Sequence, residues 1–405
     1  MLGQSFRYAV RSLTHRKLRS WLTMLGIFIG IAAVVALVSL SQGLQVAIQE
    51  QFSKIGADKI FISPKGSFGG FESDAAQLTV TDKERLARVA GVDEATTYVF
   101  KPGVISLEDE NVPVYVSGLP EDPQEFDLVI EIGTWELESG RWFDEQDRDK
   151  AVIGNDFARA EILDRRVRLG DVVLINDAPF EVVGILTRIG DPGTDGGVLI
   201  NEEAMRDVFG LDDEETNFIG VRIEQGADIA VVQERLEREL RKSHNVEEGQ
   251  EDFEVQSPEE LLAIFNTIFG IIQAVLIGIA SISLVVGGIG IMNTMYTAVL
   301  ERTQEIGVMK AVGARNGDVL TLFLFESGLL GMVGGAIGVL LGMGMSKLVE
   351  IVASQAFGSP LIRAAFPPYL IVGALLFAFV IGVASGVLPA YQAAKLPPVE
   401  ALRYE

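Results

Sequence analysis

The sequence predicts a membrane protein with four transmembrane α-helices and a large extracytoplasmic α+β domain that contains a β-rich insert. Three observations predict it. The 405 residues are 48% hydrophobic yet include 33 Lys+Arg and 56 Asp+Glu, too apolar for a soluble chain and too charged for membrane helices alone. Four apolar runs are long enough to cross a bilayer core, which takes about 20 helical residues. Between the first and second runs, residues 43–262 hold 49 Asp+Glu against 21 Lys+Arg, while the rest of the chain holds 7 against 12.

The first run, Trp21 to Ser41, carries no charge. Arg7, Arg11, Arg16, Lys17 and Arg19 precede it with no acid among them, which places residues 1–20 in the cytoplasm by the positive-inside rule. The run is too long for the apolar core of a cleaved signal peptide, so residues 21–42 are read as an anchoring span. Leu261 to Leu300 is 40 residues without a charge, about 60 Å as a helix and twice a bilayer core. No Pro or polar turn divides it. Residues 263–295 are therefore read as one helix, a stalk followed by a span. The third and fourth spans are expected at 319–346 and 365–392, joined by a short outer loop at 347–364. Four crossings return the 296–318 segment and the 393–405 tail to the cytoplasm. Arg302, Lys310, Arg315, Lys395 and Arg403 agree with that placement.

Glycines recur four apart within the spans: Gly26 and Gly30 in the first, Gly334, Gly338 and Gly342 in the third, Gly382 and Gly386 in the fourth. Such spacing lets helix backbones approach closely in lipid, within one chain or between chains. Glu326 is the one acid well inside a predicted span. It lies two turns after Asp318, close enough to the cytoplasmic face to reach water or a basic partner, and is read that way rather than as part of an ion path.

Within the outer domain, 58–63, 96–100, 112–119, 218–223 and 252–257 read as strands. Residues 81–91 read as a helix capped by Thr81 with Glu84 three residues on, and 228–243 as an amphipathic helix capped by Asp228. These make the α+β part, about 43–120 and 216–262. The β-rich insert, about 121–215, carries a hairpin in 168–186 that turns around Asn176–Pro179. Two Gly-rich loops, 64–74 and 190–197, read as turns; Asp191 and Asp195 lack the ligand count of a calcium loop. The acids are spread along the whole domain and read as a solvated surface rather than a docking face for cations.

Much chemistry is excluded. There is no Cys, hence no disulfide and no thiol nucleophile. The two His, His15 and His244, are far apart and build neither a triad nor a zinc site. No G-x-x-x-x-G-K-[ST] phosphate loop is present. The chain is expected to be no enzyme, to bind no cofactor or metal, and, being acidic, to have no nucleic-acid partner.

Residues 289–327, IGIMNTMYTAVLERTQEIGVMKAVGARNGDVLTLFLFES, resemble the permease region of the MacB and LolC/LolE family of ABC transporter subunits. The matching positions are Gly290, Met292, Asn293, Glu301, Arg302, Thr303, Glu305, Ile306, Gly307, Lys310, Ala311, Gly313, Ala314 and Glu326. Met309 departs from the pattern, which usually has a basic residue there. Residues 16–37 and 386–405 are similar to the family's opening and ending.

The resemblance implies a dimeric permease with stalked first and second helices, a MacB-like periplasmic core domain outside and an FtsX-like permease domain over 263–400. It implies a coupling helix within 296–318 that docks on an ATPase, motion passing through Glu301, Arg302, Glu305, Ile306, Gly307, Lys310 and Gly313. In that helix Glu301 and Glu305, four apart, are expected on one face. Ile306 and Val308 are expected as anchors in the partner, Gly307 as a point of close contact and Gly313 as the helix end. MacB carries a fused ATPase ahead of its first helix, whereas this sequence starts at that helix, so ATP and Mg are expected on a separate ABC ATPase subunit. A second permease copy, identical or paralogous, and an extracytoplasmic adaptor are the other expected partners, in the cytoplasmic (inner) membrane. The function implied is export or extraction of a lipoprotein, peptide or drug. The alternative is an FtsX-like signalling subunit that activates an extracytoplasmic cell-wall hydrolase or adaptor without transport, which a large outer domain disfavours.

Overall fold

A computed structural model describes residues 17–66, 78–108, 110–144, 146–357 and 363–403. Arg7, Arg11, His15, Arg16, most of the 64–74 loop and residues 358–362 of the expected outer loop lie outside the described residues. In chain order, helix α1 (Lys17–Ile55) is followed by β1 (Lys59–Pro64), β2 (Leu78–Thr79), α2 (Val80–Leu86), β3 (Val92–Leu107), β4 (Glu110–Leu119), α3 (Pro123–Gly133), β5 (Leu137–Gly140) and β6 (Lys150–Ile153). Then come α4 (Asn155–Arg159), β7 (Val172–Ile175), β8 (Ala178–Leu186), α5 (Pro192–Asp195), β9 (Val198–Asn201), α6 (Glu202–Phe209), β10 (Glu215–Thr216), β11 (Phe218–Ile223), α7 (Ile229–His244) and β12 (Phe253–Gln256). The chain closes with α8 (Pro258–Glu301), α9 (Thr303–Ala311), α10 (Asn316–Phe357), α11 (Pro368–Lys395) and α12 (Pro398–Arg403). Contacts divide it into two compact units, one helical and one built on a sheet.

In the helical unit α1, α8, α10 and α11 are long and apolar enough to cross a membrane. Helix α10 runs on to Phe357, past the end expected at 346 and into the expected loop. The charges that end the apolar run do not end the helix: Lys347 and Glu350 pair one turn apart at 2.8 Å on its surface. The glycines are points of backbone approach. A Cβ on Gly26 would lie 2.7 Å from Gly287 Cα of α8, and one on Gly30 would lie 3.1 Å from Leu284 Cγ. On α10, Gly338 and Gly342 would each meet an α1 backbone oxygen at 2.7 Å, those of Phe28 and Ala32. Gly334 is buried, and its neighbours Gly331 and Gly335 face Ala378 of α11. Gly382 and Gly386 of α11 rest on Ser327. These contacts all lie within one chain. The buried Ser346 hydroxyl adds a bond from α10 to the Ala36 carbonyl oxygen of α1 at 3.3 Å.

The other unit is a ten-stranded sheet in the order β12-β1-β11-β3-β4-β9-β6-β8-β5, with β7 pairing β3 and β8. Strand β3 is shared: its first half pairs β11 from Val92 to Tyr98, and its second half pairs β4 from Val99 to Leu107. One buried cluster, including Ile60, Ile62, Ile219, Val221, Val232 and Leu236, lies beside the first half. Another, including Ile105, Val116, Ile153, Phe157, Val182 and Met205, lies beside the second. Helix α3 falls inside 121–215 yet packs on β3 and β11. Its Glu131 meets the buried Lys59 ammonium at 2.7 Å. Which core a short amphipathic helix joins is a long-range choice that chain order does not record. The hairpin β7–β8 turns at Asn176 and Asp177, both with positive φ (46° and 69°), the geometry of a two-residue turn. In the 190–197 loop Asp191 caps α5, and Asp195 accepts the N–H groups of Ile189 and Gly190 at 2.9 and 2.6 Å.

Helix α2 starts earlier than expected. Its cap is Thr79, in a capping box with Asp82, because β2 pairs β10 through Thr79 and holds that residue extended. Asp82 is buried and also serves α7: it accepts from the Ser243 hydroxyl at 2.5 Å and lies 3.2 Å from His244 Nε2. His244 Nδ1 lies 2.9 Å from Asp252. The hydrogen bond to Asp82, seconded by Asp252, raises the His244 pKa from 6.5 to about 9, while Asp82 is held well below the carboxylate range despite its burial.

Two predictions follow from this packing. Gly338→Ala should lower thermal stability in detergent by about 1–3 kcal/mol, since the Phe28 backbone oxygen would lie only 2.7 Å from the added Cβ. Gly344→Ala, six residues on in the same helix and in open space, should be neutral or gain up to about 1 kcal/mol; equal losses would contradict the contact. The His244 contribution should be complete below pH 6.5 and lost as pH rises through about 9, because the folded-state pKa is the raised one. His244→Leu should remove that slope from a pH series of melting temperatures and cost about 3 kcal/mol at neutral pH, leaving two carboxylates without their cation.

A candidate coupling site at the ends of the membrane helices

The second membrane helix ends at Glu301, and Arg302 leaves helical geometry at φ −107° and ψ 18°. The Thr303 hydroxyl donates to the carbonyl oxygens of Val299 and Leu300 at 3.1 and 2.8 Å, satisfying two of the acceptors freed at the end of α8. The Arg302 guanidinium then bridges α9 and α10 through three side chains. Nε donates to Glu305 at 2.9 Å, Nη1 donates to both Glu326 oxygens at 3.0 and 3.2 Å, and the group lies 5.7 Å over the Phe323 ring. A planar fork can hold two carboxylates and an aromatic face at once, which an ammonium cannot.

Helix α9 has two faces. Thr303, Ile306 and Gly307 are buried, and Ile306 belongs to one cluster with Val319, Phe323, Ala390 and Ala393. Lys310 Nζ donates to the carbonyl oxygens of Ala394 and Leu396 at 2.6 and 2.8 Å. Glu301 at the end of α8 is exposed, and Gln304, Glu305, Val308, Ala311 and Val312 form the exposed face of α9. The end is a Schellman motif: Gly313 and Ala314 donate to Lys310 and Met309 at 3.1 and 3.0 Å, and Gly313 has φ +107°.

Three expectations change. Glu301 and Glu305 do not share a face, because the break at Arg302 puts them on different helices. Ile306 is no anchor for a partner, since it is fully buried in its own chain, whereas Val308 is 52% exposed. Lys310 is bound inside the chain rather than presented outward. The basic partner of Glu326 is Arg302. Sequence reading missed Phe323 and the α11 carbonyls, for which no local signal existed. Among the described residues no cluster of His, Asp and Glu is arranged to hold a metal.

Four helices apolar enough to cross a membrane, a sheet-based unit between the first and second in chain order, and a short helix bonded to the ends of the second, third and fourth define a polytopic membrane protein. Residues 20–239 match the MacB-like periplasmic core domain and 277–398 the FtsX-like permease C-terminal domain. An uncharacterized ABC transporter permease of Methanocaldococcus jannaschii is 37% identical over 398 residues, 98% of this chain and 97% of the relative. The uncharacterized ABC transporter permease YknZ of Bacillus subtilis is 31% identical and covered from end to end. The macrolide export ATP-binding/permease protein MacB of Neisseria meningitidis is 34% identical over 414 residues, but the chain spans only 60% of that protein's length. The chain belongs to the MacB/FtsX-like family of ABC transporter permeases and is a membrane protein with an extracytoplasmic domain.

A double-mutant cycle on Arg302 and Glu326 should show coupling. Arg302→Gln alone strands a half-buried carboxylate and should cost about 3 kcal/mol. Adding Glu326→Gln should recover part of the loss, giving an interaction energy of about 1–3 kcal/mol. Strictly additive melting shifts would deny the pair any role.

Proposed function

We propose that this chain is the permease subunit of an ABC transporter in which a separate ATPase docks on the exposed face of α9 and drives conformational change in the outer domain, exporting or extracting a lipoprotein, peptide or drug. The observation that carries the reading is the division of α9. One face is tied to the ends of α8, α10 and α11, and the opposite face is exposed, so that a load applied from outside passes directly into three membrane helices. Relatives covered along almost their whole length are named permeases, which supports a subunit served by an ATPase on another chain. ATP and Mg then belong to that partner.

A second permease copy completes the assembly. Helix α8 is the least covered of the four, 11% of its most apolar stretch being buried against 39% for α1 and α10. Its uncovered face carries Ile268, Ile271, Val275, Ile282, Val285 and Ile289, with Gly278 open between them. The spacing alternates three and four residues, the seam of a parallel coiled coil. At 44 residues α8 is about 66 Å long, twice a bilayer core, so the first part of this face stands beyond the lipid as a stalk and gains cover from the same face of the other copy.

Val308→Glu tests the docking face, because Val308 is outward and Glu305 is already engaged by Arg302. The variant should fold as wild type and weaken its ATPase at least roughly tenfold, an effect of about 1.4 kcal/mol. Unchanged binding and unchanged modulation of ATP hydrolysis would remove α9 from the mechanism. The chain has no Cys, so single introductions report topology and pairing cleanly. Ser139→Cys should react with an impermeant thiol reagent on whole cells and Asn316→Cys should not. Val275→Cys should form an intermolecular disulfide under mild oxidation, whereas Leu340→Cys should not.

A further inference from the structure

The carbonyls that Lys310 holds lie where α11 runs out of helical donors. Ala394 is in the last turn, and Leu396 follows the helix. Carbonyl oxygens at such an end lack intrahelical partners and carry the negative end of the helix dipole. One ammonium on α9 satisfies two of them, at sequence separations of 84 and 86 residues. Around that contact Ala390, Ala393 and Ala394 are buried in the same cluster as Ile306. The terminal helix α12 packs on α9 as well, with Ala401 only 1% exposed. The other polar link from this region, Arg302 to Glu326, leads to α10. The two links leave opposite ends of the short helix and reach different spans.

We propose that Lys310 is a positioning residue that clamps the coupling helix to the end of the fourth span, so that ATPase motion enters the membrane by two separate polar routes: through Arg302 and Glu326 into α10, and through Lys310 into α11. The inference rests on the coupling reading above and adds the division of labour. Glu326 is one route's receiver; the Ala394 and Leu396 carbonyls are the other's. Arginine at position 310 keeps donors for those carbonyls, whereas methionine keeps length and removes them.

The test uses the full complex with its ATPase in nanodiscs. An environment-sensitive thiol fluorophore is placed at Thr321→Cys on α10 or at Leu388→Cys on α11, both exposed positions. In the wild-type background both reporters should respond to ATP with Mg. Lys310→Met should silence at least 80% of the Leu388 response and spare the Thr321 response. Glu326→Gln should do the reverse, and Lys310→Arg should restore the Leu388 signal. A Lys310→Met complex with a normal Leu388 response overturns the clamp. So does one that loses both responses or fails to assemble, since the residue would then be structural only. If neither reporter responds in the wild-type background, the coupling reading itself fails and takes the clamp with it.

Discussion

Arg302 sits at the centre of the contacts that join the ends of the membrane helices. Its guanidinium faces Glu326, Glu305 and the Phe323 ring together, at the residue where the chain leaves the helix. The turn lays α9 across the helix ends, with Ile306 against the buried cluster and Lys310 within reach of the last carbonyls of α11. Had α8 continued straight, Glu301 and Glu305 would share a face, Ile306 would be carried away from its cluster, and the carbonyls of Ala394 and Leu396 would lose their cation.

The helices that α9 touches form a body with little give. Gly26, Gly338, Gly342 and Gly382 bring helix backbones to separations at which even a methyl group would collide. Close packing of this kind passes displacement on from element to element rather than absorbing it. In the sheet-based unit, β3 plays a comparable part. It belongs to two successive pairings, so its two cores cannot move apart without breaking a single 16-residue strand.

What could be read from sequence was local. Strand β11 follows from a short run of β-favouring apolar residues, and helix α7 with its Asp228 cap from helical period and one side chain, all within a few residues. The hairpin turn at Asn176 and Asp177 is local for the same reason. Thr81 was expected as the cap, and Thr79 takes that place because β10, well over a hundred residues on, holds it extended. His244 looked inert in sequence because the two carboxylates that charge it arrive from α2 and from the start of β12.

By itself the sequence determined that the chain crosses a membrane, where the apolar runs and the acidic domain lie, and which string of residues connects the second span to the third. Those properties are sums over neighbouring residues: length, hydropathy, charge and period. Only the tertiary structure decided that α9 turns Ile306 and Lys310 inward and Val308 outward, and that Glu326 receives Arg302. A side chain chooses its face by partners 24, 84 and 86 residues distant, and no local pattern encodes which of those partners will be near.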